Sequence, residues 1–381
     1  MRYYDLQILP ANGGAAVRHW TSHPNGPQSA PDPGALNVEF DLVIMPFAQA
    51  SGGSGSADYS TSFIRVWGIP IADISQASNL SAPTNDIFTY KAILKGGMGK
   101  GLPLANPAQI DTLVQGSVWR AIGNWVGTSM TLDLYISSPK APTAPSYSNT
   151  NVARSPINNF TFDWKQGKPI ATAIAATLKA AYPEIQVLID VSSALVKGND
   201  EFGIYGTVQE FTNYIQSVTK SVLGPGDPTY QGVTIAPRDG GVVAYDSKGG
   251  DNGGAKTPQY KTVNISFLDL IGQPTWLDNQ IIQVTTVMRG DIQINDTITM
   301  PVTLTTVSPA GINKSNSGTF NQARFSSQFQ GNWQVRTVRQ VGNYKQPHAT
   351  SWVTVIEAIN NKGVNGTVNL ASQSTQNTPG A

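Results

Sequence analysis

The residue types that most often carry out chemistry are scarce or scattered in this chain. It has no cysteine and three histidines, His19, His23 and His348. The absence of cysteine removes thiol nucleophiles, disulfides and Cys-ligated zinc or iron–sulfur sites. His19 and His23 lie in a Pro/Gly-rich segment rather than on a helix, and no carboxylate cluster completes a ligand set. The sequence therefore predicts no metal site and no cofactor.

Two glycine-rich segments have a superficial likeness to ligand-binding loops. Residues 95–101 (KGGMGKG) suggest a phosphate loop, but Leu94 and Gly101 stand where that motif requires Gly and Ser or Thr. Asp246 and Asp251 fall in the second segment, which lacks the alternating oxygen ligands and the closing Glu of an EF-hand. We interpret the first segment as a β–β loop and the second as a linker.

No catalytic motif stands in the sequence. Neither Gly-x-Ser-x-Gly nor His-Glu-x-x-His occurs, and the acidic residues are mostly scattered singly. Because the carboxylate pair of a glycosidase meets only in space, a glycan-cleaving enzyme stays open as an alternative. The eight tryptophans could stack on sugars, but we favour core and interface anchors. We predict no catalytic residues and no enzymatic activity.

The charge balance excludes several classes of function. The 381 residues include 25 Lys and Arg against 24 Asp and Glu, and charged residues make up 13% of the chain, against roughly 25% in an average soluble domain. A protein that binds nucleic acid through phosphate contacts needs a basic excess. No apolar stretch is long enough for a membrane span, and the N-terminus lacks the apolar region of a secretion signal. The low charge favours a surface covered in an assembly.

Alternating apolar residues predict strands through the first third of the chain. The alternation is clearest at residues 38–44 and 130–136, and it recurs at 63–67, 87–94 and 113–125. Residues 1–137 are thus predicted to form a β barrel or sandwich. Two long loops, at about 11–35 and 50–61, interrupt this domain.

A Pro-rich linker at 138–156 precedes a section of different character. Pro169 opens a predicted helix that Pro183 ends, and Thr207 with Glu210 forms a capping-box pattern ahead of a second helix. Strand patterns at 160–164 and 185–191, and a hairpin over 232–245, complete the section. Residues 157–247 are predicted to form a small two-helix α+β domain.

Strand patterns return after a Gly-rich linker at 248–257. They occur at residues 263–268, 281–288, 297–304, 333–338 and 352–358. We predict a second β domain over 258–360, followed by a polar C-terminal tail at 361–381. The predicted fold class is mainly β with an α+β insert between two β domains.

Seven segments share the order and spacing of a known family. They are residues 36–45 (LNVEFDLVIM), 61–69 (TSFIRVWGI), 162–179, 206–211 (GTVQEF), 270–276 (LIGQPTW), 330–343 (QGNWQVRTVRQVGN) and 351–354 (SWVT). Over residues 36–360 the chain resembles the tail-hub, or baseplate hub, proteins of contractile-tailed bacteriophages. One departure is Gln340, which replaces a His present in many relatives.

The resemblance implies a structural protein without catalysis. Such hubs form a homotrimer whose two tube-type β-barrel or sandwich domains per chain make a pseudo-six-fold ring, so the two β domains should share one topology. The ring adapts the six-fold tail tube to the trimeric central spike and lets DNA pass, without sequence-specific binding of nucleic acid.

The same resemblance implies the partners and the location. The expected partners are the spike below, the tail tube or its initiator and the tape-measure protein above, and baseplate wedge proteins. The expected location is the virion tail baseplate, after assembly in the host cytoplasm. A glycan-cleaving tail enzyme and a carbohydrate- or receptor-binding tail-tip module stay open as alternatives.

Overall fold

The structure is a computed structural model that describes residues 1–11, 13–49, 62–81, 89–101, 106–137, 160–183, 185–278, 280–301, 329 and 331–360. The predicted loop 50–61, the linker 138–156 and the tail 361–381 lie outside the described residues.

Strand is far more frequent than helix in the described chain, which confirms the mainly β fold class with an α+β insert. The N-terminal strands are β1 (Arg2–Pro10), β2 (Arg18–Thr21), β3 (Asn37–Ile44), β4 (Ser62–Trp67), β5 (Tyr90–Met98), β6 (Asp111–Val126) and β7 (Ser129–Ser137). The short helices α1 (Ile71–Ser75) and α2 (Ala77–Leu80) lie between β4 and β5.

The middle section contains the two long helices. Its strands are β8 (Phe160–Trp164), β9 (Val187–Ser192), β10 (Glu201–Tyr205), β11 (Thr234–Arg238), β12 (Gly241–Tyr245) and β13 (Gly250–Asp251). Helix α3 (Ile170–Ala181) follows Pro169, and helix α4 (Val208–Leu223) begins with the predicted capping box, in which Thr207 and Glu210 bond each other's backbone. Both helices pack their apolar faces on one core with these strands.

The C-terminal section is again built of strands. They are β14 (Thr262–Asn264), β15 (Thr275–Asp278), β16 (Ile281–Val287), β17 (Thr297–Met300), β18 (Gly331–Asn343) and β19 (Trp352–Ile359). A 3-10 turn, Phe267–Asp269, precedes β15.

One sheet runs through both β sections. Among the described residues it contains 13 strands, in the order β15-β16-β19-β18-β3-β4-β7-β6-β5-β1-β2, with β17 paired to β18 and β14 to β17. The two sections meet where β18 pairs antiparallel with β3. The apolar cores of both sections lie on the same side of this sheet, because Val338 in one core and Leu42 in the other point to one face of the junction.

The two β sections repeat one topology. In the N-terminal section β3, β4, β7, β6 and β5 are neighbours in that order, and in the C-terminal section β15, β16, β19, β18 and β17 are neighbours in the same order. All eight pairings within these two sets are antiparallel. We refer to β3–β7 as the N-terminal repeat and to β15–β19 as the C-terminal repeat. The shared strand order agrees with the expectation of one topology.

Parts of three segments that were predicted to be loop or linker belong to sheets. The loop predicted over residues 95–101 is strand as far as Met98, because β5 pairs with β1 along its whole length. The linker predicted over residues 248–257 contributes β13, which pairs with β9. In the predicted loop 11–35, β2 pairs with β1. The pairings of β5 with β1 and of β13 with β9 join distant residues, so a glycine count along the chain does not reveal them.

Candidate assembly interface

The three histidines do not come together into a site. His19 bonds Asp5 through Nε2 at 2.8 Å on the exposed face of β2. His23 is buried, with Nδ1 2.8 Å from the Ser22 hydroxyl and its ring edge-on to Tyr3. Burial, and then the nearby N-terminal amine, lower the pKa of His23 below its usual 6.5. Within the described ranges, no group of three or more His, Cys, Asp or Glu could hold a metal ion.

The aspartates of the second glycine-rich segment hold the backbone. Asp246 accepts the backbone N–H groups of Lys248 and Gly249 at 2.9 and 2.7 Å, and a third from Ser192. It also accepts the Tyr230 hydroxyl at 2.8 Å. Its oxygens are therefore used within the turn, and the geometry is that of a structural cap rather than a cation loop.

One shallow depression carries two carboxylates near a histidine. It has a volume of about 260 Å³ and is lined by Glu39, Asp41 and His348 among others. Asp41 forms a two-point pair with Arg339, with 2.8 Å between Oδ1 and Nε, and Glu39 accepts the Trp67 indole N–H at 3.2 Å. Each carboxylate therefore has a partner on a neighbouring strand.

The tryptophans divide by burial. Trp164, Trp333 and Trp352 are at most 3% exposed and anchor cores, as favoured from the sequence. Trp119, Trp125 and Trp276 are between 43% and 61% exposed. These exposed tryptophans lie on two strands, Trp119 and Trp125 on β6 and Trp276 on β15. They do not belong to a core, and they do not gather into one surface for stacking on sugars.

The junction of the two repeats is a ladder of six residue pairs. It runs from Val338 opposite Ile44 to Asn343 opposite Glu39. The Phe40 ring lies over Gly342, where an added Cβ would collide with it. Gln340, the departure noted in the sequence, is buried here and donates to the Arg289 carbonyl at 3.0 Å. The junction is thus closely packed, with its one buried amide satisfied.

In the N-terminal repeat, the strand equivalent to β18 is β6. Its second half pairs with β7 on one side and, among the described residues, with no strand on the other side. Ser81 bonds both the N–H and the carbonyl of Ala121 along this edge, at 2.8 and 3.1 Å. Beyond it, Trp125 and Val126 are 61% and 75% exposed. Ile71 of α1, a helix that packs against β6, is also exposed. We refer to this surface as the β6 edge.

The strand equivalent to β3 in the C-terminal repeat is β15, and it lies at one end of the 13-stranded sheet. All four of its residues are exposed, including Trp276 and Leu277. Phe267 and Leu268 of the preceding turn are also exposed, at 53% and 66%. We refer to this surface as the β15 edge. An exposed apolar sheet edge of this kind offers a site at which another chain can pair.

The sequence singled out most of these strands without revealing their use. Three of the seven family-like segments, residues 36–45, 270–276 and 330–343, contain or border β3, β15 and β18. The alternation of apolar residues did not predict β15, because this strand has only four residues and follows a Gly-Gln-Pro sequence. Its Thr-Trp-Leu run was the signal that could have identified it.

Comparison with known proteins gives distant matches among solved structures. The chain is similar to the 43 kDa tail protein of prophage MuSo2 from Shewanella oneidensis, with 7% identity, a TM-score of 0.45 and coverage of 96% of this chain and 99% of that one. It is also similar to a tail protein from Neisseria meningitidis MC58, with 11% identity, a TM-score of 0.43 and coverage of 95% and 97%. No protein-family model and no curated protein matches the chain. In the described part of the chain, no helix is long and apolar enough to span a membrane.

Proposed function

We propose that this protein is a structural hub of a phage tail baseplate, located in the virion and assembled in the host cytoplasm. It would form a homotrimer whose β repeats, two in each chain, make a ring between the six-fold tail tube and the three-fold central spike. The observation that carries the proposal is the repeat of one five-strand topology within a continuous sheet. The family-like segments of the sequence supply the tail-hub assignment.

The repeat suits a change of symmetry. Three copies of a chain with two alike units place six alike units around an axis, whereas features that occur once per chain are placed three times. One face of such a ring can therefore match a hexamer while the other matches a trimer. The α+β section occurs once per chain, so it would belong to the three-fold side.

The charge pattern supports a passive role in DNA passage. A net charge of +1 with 13% charged residues gives little electrostatic attraction to phosphates. The carboxylates of the Glu39 depression are held by Arg339 and Trp67. We therefore propose no catalysis by this chain, and an assembly in which tape-measure, tube and wedge proteins contact the ring.

The test is the mass of the purified full-length protein, alone and with a candidate spike protein. Sedimentation equilibrium should give three times the 40.6 kDa chain mass, and addition of spike should give one complex with three copies of each. A monomer at micromolar concentrations that binds no spike would contradict the proposal. Cleavage of peptidoglycan or polysaccharide by the protein would favour the enzyme instead.

A further inference from the structure

We propose that the β15 edge of one copy pairs with the β6 edge of a second copy, in the register by which β3 pairs with β18 inside the chain. The partner is thus another copy of the same chain, joined head to tail. This inference rests on the ring-forming part of the proposed function, and it names the strands that close the ring.

The two repeats can be aligned residue by residue through their bulges. The first strand of each hairpin carries one bulge, at Trp119 in β6 and at Arg336 in β18. In each repeat, the residue after the bulge begins a straight row of opposed residues across four strands. These rows are Arg120, Tyr135, Phe63 and Asp41 in the N-terminal repeat, and Thr337, Glu357, Gln283 and Thr275 in the C-terminal repeat.

The alignment predicts how the β15 edge and the β6 edge would pair from the register of the junction inside the chain. Inside the chain, Asp41 lies opposite Val341, which is four residues beyond the start of its row. The equivalent of Asp41 is Thr275, and the residue four beyond Arg120 is Asn124. Thr275 of one copy should therefore lie opposite Asn124 of the next.

The backbone of β6 is oriented for this pairing. The N–H and carbonyl of Ala121 point to the open edge, since both bond the Ser81 hydroxyl there. Because successive residues of a strand alternate, the groups of Gly123 and Trp125 point the same way and those of Asn124 point to β7. Helix α1 covers the face of the strand at Gly123, with Ile74 close to any added Cβ, and pairing at Ala121 would replace its two bonds to the Ser81 hydroxyl.

Exposed apolar side chains concentrate on the two edges. Among the large apolar residues that are exposed in the described chain, three belong to the β6 edge: Ile71, Trp125 and Val126. Trp119 is on the same strand, with its ring packed toward Tyr135 of β7. Four more lie at the β15 edge: Phe267, Leu268, Trp276 and Leu277. The remaining four, Met1, Val196, Phe202 and Ile204, lie elsewhere. Burial of apolar surface would thus occur on both sides of one contact.

The charges at the two edges are complementary. Arg120 is exposed on β6, one residue before the proposed pairing begins at Ala121, and Asp278 is exposed at the end of β15. In the proposed register β15 runs antiparallel to β6, so Asp278 approaches the Arg120 end of β6. The junction inside the chain has a similar cross-strand pair, Arg339 with Asp41. A head-to-tail contact also uses two different surfaces, as a ring requires.

A disulfide tests the register directly. The chain has no native cysteine, and a pair of opposed residues whose backbone groups point away from each other has Cα atoms about 4.5 Å apart, within disulfide range. A mixture of full-length Asn124→Cys and Thr275→Cys proteins should form covalent dimers on mild oxidation. Each variant alone should form none, because the two surfaces differ. The double variant should form closed covalent rings.

Two cysteine pairs calibrate the experiment. Asp41→Cys with Val341→Cys reproduces the junction inside the chain and should cross-link without a change in mass. Phe202→Cys, mixed with Asn124→Cys, places an equally accessible thiol away from the β15 edge and should give no dimer. The first pair tests whether the oxidation forms a disulfide between opposed residues. The second tests whether random collision of exposed thiols is enough to form one.

The outcomes separate this inference from the proposed function. A trimer by mass without a dimer from the mixed variants would overturn the strand pairing and leave the hub proposal intact. Dimers of Thr275→Cys alone would indicate a two-fold contact and would also overturn it. A monomeric protein would contradict both.

A charge substitution provides a second measurement. Leu277→Asp places a carboxylate in the middle of the β15 edge, and we expect self-association to weaken roughly 30-fold, the effect of losing an interface hot spot. Ile204→Asp is the matched control, because Ile204 is also an exposed aliphatic residue on a short strand, 58% against 51% exposed. It should leave self-association unchanged. Equal effects of the two substitutions would contradict the pairing.

Discussion

The N-terminal and C-terminal repeats share a strand order and differ in what lies on their outer strands. In the N-terminal repeat the first strand, β3, is paired on both sides, by β4 and β18. In the C-terminal repeat the first strand, β15, is paired on one side, by β16. The long strand shows the reverse relation, since β18 receives β3 whereas β6 presents an open outer half.

A single pair of equivalent positions shows the consequence. Five residues beyond the start of the aligned rows stand Gly342 in the C-terminal repeat and Trp125 in the N-terminal repeat. Gly342 lies beneath the Phe40 ring of the docked strand, whereas Trp125 is 61% exposed. At this equivalent position the chain therefore has a glycine in the repeat where a strand is docked. It has an exposed tryptophan in the repeat where no strand is docked within the chain.

The repeats also differ in how they attach to the α+β section, and the largest predicted effect follows from this. Phe47, at the end of β3, enters the core of the α+β section as an apolar contact. The C-terminal repeat is attached through Arg238, whose Nη2 lies 2.8 Å from Oδ1 of the fully buried Asp296. Asp296→Ala would leave the Arg238 cation buried without this carboxylate. We expect it to lower the free energy of unfolding by about 3–5 kcal/mol, measured by urea denaturation.

The control for this substitution is an exposed ion pair in the same sheet. Asp41→Ala removes the partner of Arg339, and both side chains of that pair are about half exposed, at 43% and 52%. The loss there should be at most about 1 kcal/mol. A similar loss in both variants would mean that the attachment of the C-terminal repeat does not depend on the buried pair.

The second prediction concerns close packing at the junction of the repeats. Gly342→Ala places a methyl group against the Phe40 ring, and overpacking of this kind typically costs about 1–3 kcal/mol of folding stability. Gly198→Ala is the control, because an added Cβ there meets nothing within 4 Å. Phe40→Leu in the Gly342→Ala background should recover part of the loss, which a double-mutant cycle would measure. Additive effects of the two substitutions would contradict a direct contact.

Much of the fold could be predicted from local patterns. The alternation of residues 38–44 and 130–136 identified β3 and β7, and the capping box identified the start of α4. The strands missed were β1, β2, β10, β13 and β15. In β1 the signal was present, since Tyr4, Leu6 and Ile8 alternate inward with Asp5 and Gln7.

The open edges could not be predicted, because they depend on pairing between distant residues. That β3 docks on β18 joins positions roughly 300 residues apart, with Arg339 and Asp41 as one contact. No local pattern specifies such a pairing, and the exposure of Trp125 and Trp276 follows only once it is known. Sequence reasoning favoured interface anchors among the tryptophans but could not say which residues they were.

The smallest predicted effect concerns the extension of the N-terminal repeat, which has two antiparallel strands where the C-terminal repeat has the single parallel strand β14. There, β1 and β2 extend the sheet beyond β5, and His23 is buried just after β2. Burial lowers the pKa of His23 in the folded protein below its usual 6.5, so the unfolded chain takes up a proton at a higher pH than the folded one does. The free energy of unfolding should therefore fall as the pH drops below about 6.5.

This pH dependence should be local to the N-terminal repeat and should depend on one side chain. Hydrogen exchange at pH 5.5 should show faster exchange of the amides of β1 and β2 than at pH 7.5, with β18 and β19 less affected. His23→Gln removes the titrating group and should flatten this part of the dependence of stability on pH, measured by denaturation at both pH values. Because acidification also protonates carboxylates elsewhere, the decisive quantity is the difference between the parent protein and the variant. Equal loss of stability in both would show that His23 does not set the acid sensitivity of the extension, and that the two repeats respond to pH alike.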